Sequence, residues 1–169
     1  MISYTTSKND RDLQEIIGLQ KNNLPVSLTR QEMQDQGFVT VVHSLEVLRK
    51  MNAIEQSIIA KDNGKTIAYL LAMTEQSKAD IPVLAPMFEL FAQVAWRGKP
   101  VAAWRYLVVG QVCVDKNYRG RGILDHCYAA YKQHFSDKYD FAITEIATKN
   151  GRSVNAHKRV GFTEIHRYA

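Results

Sequence analysis

The residue types in this sequence that best suit anion binding occur together, between an apolar run and an amphipathic run: Arg119, Gly120, Arg121 and Gly122. The apolar run before them, Val112-Cys113-Val114, is typical of a strand, and the run that begins at Ile123-Leu124 is typical of a helix. A helix N-terminus presents unpaired backbone N–H groups and the positive end of the helix dipole. The glycines allow close approach, and the arginines add charge that pairs with phosphate. The stretch therefore predicts a site for a phosphorylated ligand.

Two common nucleotide-binding loops do not fit this stretch. The chain has no Gly-x-x-x-x-Gly-Lys-Ser/Thr pattern, and the dinucleotide fingerprint requires a glycine where Asp125 stands. One alternative is that the glycines only make a turn and the arginines are solvated. The stretch resembles the acetyl-CoA pyrophosphate loop of the GNAT acetyltransferase superfamily, Gln/Arg-x-x-Gly-x-Gly/Ala after a hydrophobic strand. Arg119 and Gly122 match this pattern, and Leu124 stands where the family usually has glycine or alanine.

A second stretch, residues 150–162, resembles a later helix of the same family, with the pattern Asn-x-x-Ala/Ser-x-x-x-Tyr-x-x-x-Gly-Phe. Asn150, Ser153, Gly161 and Phe162 match it, and His157 stands at the tyrosine position. The two motifs occur in the family's order, with a helix and a strand predicted between them. The resemblance therefore covers roughly the C-terminal 60 residues, and more loosely the whole chain.

The resemblance implies an acetyl-CoA-dependent N-acetyltransferase that moves the acetyl group directly to an amine of a small molecule or peptide, without a metal. The implied fold is α/β: a mixed, mostly antiparallel central sheet with a parallel strand-helix-strand unit at the cofactor site, flanked by helices. The implied cofactor-binding residues are Val112, Cys113, Val114, Arg119, Gly120, Arg121, Gly122, Ile123, Leu124, Asn150 and Ser153. The strand residues Val112 to Val114 would contact the pantetheine arm through their backbone.

His157 is the predicted catalytic residue. Asn150, Ser153 and His157 are spaced by three and four residues, so they share one face of the predicted last helix and one ligand could contact all three. Proton transfer from imidazolium, pKa about 6.5, to a thiolate, pKa about 8.5, is downhill by roughly 2.7 kcal/mol. Only about one such histidine in four is protonated at pH 7. The sequence is therefore equally compatible with a neutral His157 that donates an N–H hydrogen bond. A structural histidine is the alternative.

No general base is evident from the sequence. Many members of the family place a glutamate on the strand before the loop, but the corresponding run, residues 107–111, has no carboxylate. Glu75, Glu89 and Glu145 are candidates by residue type only, and a chain of water molecules is a further alternative. Acylation of Cys113 is the least favoured route, because a buried thiol has a raised pKa. The missing carboxylate and the histidine also suit a non-catalytic acyl-CoA-binding or regulatory module.

The composition predicts one domain, residues 1–169, with an ordinary core. The N-terminus has no signal-peptide pattern and no apolar run is long enough to cross a membrane, so a cytoplasmic protein with no membrane partner is expected. The cysteines Cys113 and Cys127 have no metal or redox spacing and are expected to be buried thiols.

The net charge of +5 favours anionic partners. Basic residues are concentrated in the two motif stretches, which suits a small ligand with several phosphates better than a nucleic acid. Nucleic-acid binding without catalysis ranks last, because no reading module and no basic face interleaved with aromatics is evident.

Hydrophobic periodicity predicts the elements that position these residues. Strands are predicted at 2–5, 57–61, 66–73, 106–115, 141–147 and in a final run to Ala169; helices are predicted from Asp10 to about Lys21, from a capping box at Thr29 to Gly37, from Ser44, over 122–136 and over 151–160. The inward positions of the 122–136 helix are predicted to be Leu124, Cys127, Tyr128, Tyr131 and Phe135. Strand-helix-strand around this helix implies a parallel pair.

The segment at about 75–105 is too long for a hairpin connection and is predicted to be a helical insert, with a helix from about Leu84 to Ala95. It would serve as a lid over the acceptor site, as extra core or as a dimer contact. Members of the family often have one more strand than this chain accommodates. We therefore expect either a truncated chain or a partner at that edge, such as a second copy in a homodimer.

Overall fold

The computed structural model describes residues 1–24 and 42–168. Its strands and helices are β1 (Ile2–Thr6), α1 (Asp10–Asn22), α2 (Leu45–Ile54), β2 (Ile58–Asp62), β3 (Lys65–Met73), α3 (Ala85–Leu90), β4 (Ala95–Trp96), β5 (Lys99–Pro100), β6 (Tyr106–Val114), α4 (Ile123–Phe135), β7 (Phe141–Ile143) and α5 (Gly151–Arg159). The helix predicted between Thr29 and Gly37, and the break at Pro25, lie outside the described residues. Within those residues, every helix is too short or too polar to cross a membrane.

The described strands of the main sheet follow the order β1-β2-β3-β6-β7. Neighbours are antiparallel except β6 and β7, which run parallel with Tyr106 opposite Phe141 and Val108 opposite Ile143. Helix α4 forms the crossover between β6 and β7, as a parallel pair requires. The mixed, mostly antiparallel sheet with one parallel strand-helix-strand unit, predicted from the sequence, is confirmed.

Helix α1 begins at Asp10, the residue predicted to cap it, so its cap lies one residue earlier than expected. The side chain of Asn9, not that of Asp10, accepts the backbone N–H of Asp12 at 3.0 Å. The predicted cap of α2 is confirmed, because the Ser44 hydroxyl accepts the N–H of Val47 at 3.2 Å. Both caps satisfy donors that a helix end would otherwise leave unpaired.

Two apolar clusters sandwich the sheet. One cluster holds side chains of α1, α2 and the 75–105 segment against one face, and the other holds α4 against the opposite face. The inward face of α4 is buried at Ile123, Cys127, Tyr128, Tyr131 and Phe135. Leu124, which was predicted to point inward, is only half-buried, because Gly122 caps the helix and Ile123 at its first position takes the buried place.

The helix predicted from Leu84 to Ala95 is wrong in extent. Helix α3 covers only Ala85–Leu90, between 3₁₀ turns and a small β4–β5 hairpin. Its Pro86 lies in the first turn, where a missing N–H costs nothing, and the chain reverses at Arg97-Gly98, where both residues have positive φ. Five side chains of the segment are buried in the first cluster: Ile81, Met87, Phe88, Phe91 and Val101. The segment thus contributes core, one of the three roles considered above.

The C-terminal strands also differ from prediction. Strand β7 ends at Ile143 rather than continuing to 147, and residues 162–168 form no strand. After Ile143 the backbone no longer pairs with β6, and the Thr144 hydroxyl donates to the Val109 carbonyl at 2.9 Å. Residues 163–168 are exposed, so alternation there has no sheet face to bury against.

We expect the substitution Thr144→Val, which keeps the side-chain shape and removes this donor, to lower the free energy of unfolding by about 1 kcal/mol. Thr144→Ser keeps the hydroxyl and should retain most of the stability. Urea unfolding of both variants measures the difference. Wild-type stability in Thr144→Val with a loss in Thr144→Ser would show that packing of the methyl group, not the hydrogen bond, holds β7 at this point.

Candidate functional site

A cleft opens where β6 and β7 separate. Their pairing ends at Val108 and Ile143, whereas β6 continues to Val114 with no strand beside it on that side among the described residues. On its other side β6 pairs with β3, where the register shifts between Leu70 and Ala72 and gives β6 one extra residue. Such a bulge bends the strand and increases its twist. The last residues of β6 therefore form one wall of the cleft.

The loop after β6 turns sharply at two glycines. Gly120 and Gly122 have φ of +77° and +74°, a conformation that side chains disfavour. A Cβ at Gly120 would meet nothing within 4 Å, so the requirement there concerns backbone conformation rather than space. The turn brings the chain directly into α4, with Gly122 as its N-cap residue.

Two helices begin at the cleft. The first turn of α4 follows Gly122, and the first turn of α5 follows Asn150; neither N-terminus has a side-chain capping hydrogen bond. Their backbone N–H groups are consequently available to an anion, and the two helix dipoles direct positive potential to the same place. This arrangement is suited to a ligand with more than one phosphate.

Arg119 connects this loop to the end of α1. Its Nε donates to the Val114 carbonyl at 2.9 Å and its Nη2 donates to Asn23 Oδ1 at 2.7 Å. Burial, together with the charge of Arg152, lowers the pKa of the Arg119 guanidinium. Two like charges held near one another in a partly desolvated place repel, and an anion bound between them would remove that cost.

The cleft has a volume of about 1020 Å³, and most of the predicted cofactor-binding residues line it. The predicted residues in its lining are Val112, Cys113, Val114, Arg119, Gly120, Gly122, Ile123, Leu124, Asn150 and Ser153. Arg121 does not line it: its side chain lies over the Tyr118 ring, with the guanidinium carbon 5.2 Å from the ring centre. The structure thus brings together residues from both motifs. Their binding of a cofactor stays a prediction.

The sequence reasoning missed other residues of the lining. Asn23 has no local signal, because it meets Arg119 only through the fold, across 96 positions of sequence. The remaining ones belong to the loop and the two helices: Tyr118, Asp125, Lys149, Gly151, Arg152, Asn155, Ala156 and Arg159. Their nearness to the motifs was a signal, and Arg159 additionally pairs with Asp125 at 2.9 Å across the two helices.

Cys113 lines the cleft but is poorly suited to nucleophilic attack. Its side chain is buried in the first apolar cluster. Burial raises the pKa of its thiol to about 12, in spite of the opposing charge of Arg119. The thiolate is therefore scarce near neutral pH, which disfavours an acyl-enzyme at Cys113.

His157 lies behind the cleft rather than in its lining. Its ring is 3% exposed and contacts the rings of Tyr128 and Phe162. Nδ1 is 2.7 Å from the Ser153 carbonyl oxygen, and Nε2 is 2.6 Å from the Tyr128 hydroxyl. Asn150 and Ser153 line the cleft and His157 does not, so in this conformation one ligand in the cleft does not contact all three side chains. The proton-donor role of His157 stays a prediction.

The three candidate glutamates occupy different places. Glu75 and Glu89 are exposed on the 75–105 segment, where the charge of Glu75 contributes to a raised pKa of the Tyr106 phenol. Glu145 follows β7, where the strand separates from β6; the residue is exposed and is not part of the cleft lining, and desolvation raises the pKa of its carboxyl. Of the three, Glu145 is the one next to the opening between the two strands.

No protein-family model matches the sequence, and no curated protein matches it. Solved structures do match the fold. The aminoglycoside N-acetyltransferase AAC(6')-Iy in complex with CoA has a TM-score of 0.63 and 16% identity, with 100% of this chain and 92% of that chain covered. The aminoglycoside 6'-N-acetyltransferase AAC(6')-Ih from Acinetobacter baumannii has a TM-score of 0.62 and 16% identity, with 100% and 95% covered.

A third structure with this fold is described as a transcriptional regulator. It comes from Bacillus halodurans C-125, with a TM-score of 0.66 and 8% identity over 100% of this chain and 97% of that chain. At such identities the likeness establishes the arrangement of strands and helices and nothing about the reaction.

The buried histidine makes a pH dependence of stability predictable. Burial lowers the pKa of His157 below its ordinary value of 6.5, so the unfolded chain takes up this proton at a higher pH than the native protein does. We expect the free energy of unfolding to fall as the pH drops below about 6.5, by about 1.4 kcal/mol per unit of pKa difference.

Urea unfolding at pH 7.5 and pH 5 measures this loss. In His157→Gln the loss should be smaller than in the wild type, with the rest arising from other groups such as His43, whose pKa burial also lowers. His134→Gln, at an exposed ring, is the matched control and should leave the loss unchanged. The same pH dependence in all three proteins would contradict the assignment.

Proposed function

We propose that this protein, which has the fold of the GNAT acetyltransferases, binds acetyl-CoA in the cleft described above and transfers its acetyl group to an amine of a small molecule or peptide. The observation that carries the proposal is the convergence of two helix N-termini, each without a capping side chain, on a cleft where Arg119 is partly desolvated beside Arg152. The positive charges of Arg119 and Arg152 repel each other, and a bound diphosphate would neutralise them.

The residues that would bind the diphosphate are those of the loop and the first turn of α4. Backbone N–H groups after Gly120 and Gly122 would donate to the phosphate oxygens, and Arg152 at the start of α5 would add charge. Arg119 would contribute mainly its charge, because two of its N–H donors already bond to the Val114 carbonyl and to Asn23. Arg121 projects over Tyr118 at the rim, within reach of an anion only by a change of rotamer.

The open edge of β6 supports a place for the pantetheine arm. Amide groups of that arm can pair with strand backbone in the way that another strand would. The part of β6 proposed for this pairing is the one beyond Val108, which β7 does not pair with. The thioester would then lie at the point where β6 and β7 separate. A backbone N–H of β6 can polarise its carbonyl.

Direct transfer balances without an acyl-enzyme. The amine nitrogen attacks the thioester carbonyl, the new C–N bond forms and the C–S bond breaks. The ammonium loses one proton to a base before attack, the nitrogen of the adduct loses a second, and the departing CoA thiolate gains one, so one proton is released overall. The protein's part is to hold the two reactants in place and to accept the amine proton.

Glu145 is the proposed acceptor of that proton. Its position two residues after the end of β7 supports the role, and desolvation raises the pKa of its carboxyl, which is the direction that a base near neutral pH requires. Strand β6 itself carries no carboxylate that could accept the proton instead.

One set of observations favours a second function, that of a non-catalytic acyl-CoA-binding or regulatory module. β6 has no carboxylate, and both ring nitrogens of His157 are occupied by protein groups. Such a module would bind the cofactor in the same cleft. Turnover separates the two functions.

The first measurement is calorimetric titration of acetyl-CoA. We expect the wild type to bind it with micromolar affinity and Gly122→Asp to weaken binding at least a hundredfold, about 3 kcal/mol, because the variant places a carboxylate where the diphosphate is proposed. Gly98→Asp is the matched control, since Gly98 also has positive φ with open space around it and does not line the cleft. A loss in both variants, or in neither, would contradict the proposed binding site.

Turnover is measured as release of the CoA thiol with a panel of amines. The panel includes an aminoglycoside, because solved structures of this fold act on that class of amine, and small polyamines and peptides. Turnover with any amine supports the enzyme, whereas tight binding without turnover across the panel supports the module.

The role of Glu145 gives a separate prediction for an amine that is turned over. We expect Glu145→Gln, which keeps size and polarity but cannot take the proton, to lower kcat by about a hundredfold while acetyl-CoA affinity stays within twofold. Glu89→Gln, at an exposed glutamate on α3, should leave kcat unchanged. Wild-type kcat in Glu145→Gln would exclude this carboxylate as the base.

A further inference from the structure

Helices α4 and α5 meet at a buried polar contact. The Tyr128 hydroxyl of α4 lies 2.6 Å from Nε2 of His157 on α5, and the exposed fractions of the two residues are 9% and 3%. Their rings are packed edge to face with centroids 5.4 Å apart. The ring of Phe162 contacts both of them. Water is therefore excluded from this hydrogen bond.

The direction of each hydrogen bond follows from the partners. A carbonyl oxygen only accepts, so Nδ1 of His157 carries the hydrogen that is donated to Ser153. In the neutral ring Nε2 then carries none, and it accepts from the Tyr128 hydroxyl. Every donor and acceptor of the ring is satisfied in the neutral state. The only N–H of the ring is engaged within α5 and is not presented to the cleft.

The contact joins the two helices that border the cleft. Tyr128 lies in the second turn of α4, whose first turn lines the cleft, and Ser153 lies in the first turn of α5. A second link, the Arg159–Asp125 ion pair, is exposed at both ends, and such pairs contribute little. Among the described residues, the Tyr128–His157 contact and the packing of Phe162 around it are therefore buried links that hold the two helices at their spacing.

We propose that His157 is a positioning residue: by accepting from Tyr128 and donating to Ser153, it fixes the N-terminus of α5 against α4 at the spacing that cofactor binding needs. The ligand named here rests on the proposed function. A bound diphosphate contacts both helix N-termini only at one separation. Loss of the contact would therefore weaken cofactor binding before it affects any chemical step.

The first variants remove the contact from each side. Tyr128→Phe deletes only the hydroxyl, and His157→Leu keeps much of the side-chain volume without either hydrogen bond. Tyr128→Phe is expected to weaken acetyl-CoA binding about five- to tenfold, the effect of one lost hydrogen bond, and His157→Leu by at least as much, because it also loses the hydrogen bond to Ser153. Because both substitutions break the same contact, the double variant should be little weaker than either single one.

A conservative variant separates positioning from proton donation. Gln at position 157 can accept from Tyr128 through its side-chain oxygen, but it cannot donate a proton to a thiolate near neutral pH. We expect His157→Gln to recover most of the acetyl-CoA affinity that His157→Leu loses, and to recover kcat in parallel on any amine that is turned over. Intact affinity with kcat lowered at least tenfold in the Gln and Leu variants would instead identify a proton donor and overturn the positioning role.

Tyr131→Phe controls for loss of stability. Tyr131 lies on the same helix, is also buried and donates its hydroxyl to the Val108 carbonyl at 3.2 Å, away from α5. It should lower stability without changing acetyl-CoA affinity more than twofold. Wild-type affinity in both Tyr128→Phe and His157→Leu, or equal losses in Tyr131→Phe, would overturn the positioning role alone. No acetyl-CoA binding by folded wild-type protein would overturn the proposed function and the positioning role together.

Discussion

The short parallel pairing of β6 and β7 is the constraint on which the rest of the site depends. A parallel pair requires a crossover, and α4 supplies it, so the N-terminus of α4 must lie beside the carboxyl end of β6. Because β7 stops at Ile143 while β6 continues, the two strands separate at the same end. One topological requirement thus places an open strand edge and a helix N-terminus next to one another. The second helix, α5, follows β7 and begins at the same opening.

The concentration of positive charge at this opening has a structural cost, and the fold offsets part of it. The Arg119 guanidinium is partly desolvated beside Arg152, and its hydrogen bonds to Asn23 and to the Val114 carbonyl compensate for the lost water. The same hydrogen bonds hold the loop in place before any ligand arrives. Preorganisation of this kind spares a ligand the cost of ordering the loop. An anion then adds the remaining favourable term by relieving the repulsion.

Local patterns allowed much of the fold to be predicted, and the failures have physical causes. The main-sheet strands up to Val114, the cap at Ser44 and the turn into α4 depend on periodicity and on single residues, which a sequence displays. Strand β7 ends although β6 continues to Val114, because the bulge in β6 bends that strand away, and residues 144–147 do not show this. Asn23 joins the cleft through contacts across 96 positions of sequence, and no local pattern indicates those.

His157 illustrates how helical spacing can predict a face and still leave the role of a residue undetermined. His157 lies four residues after Ser153, which places its ring about 6 Å farther along the helix axis. At that level α5 packs on Tyr128 instead of bordering the cleft. If the ring holds the helices, the departing thiolate must take its proton from solvent. A thiol of pKa about 8.5 makes this feasible near neutral pH, because its thiolate is already a tolerable leaving group. Removing a proton from the amine is then the harder step. The group proposed for it, Glu145, lies on the other side of the opening, after the end of β7.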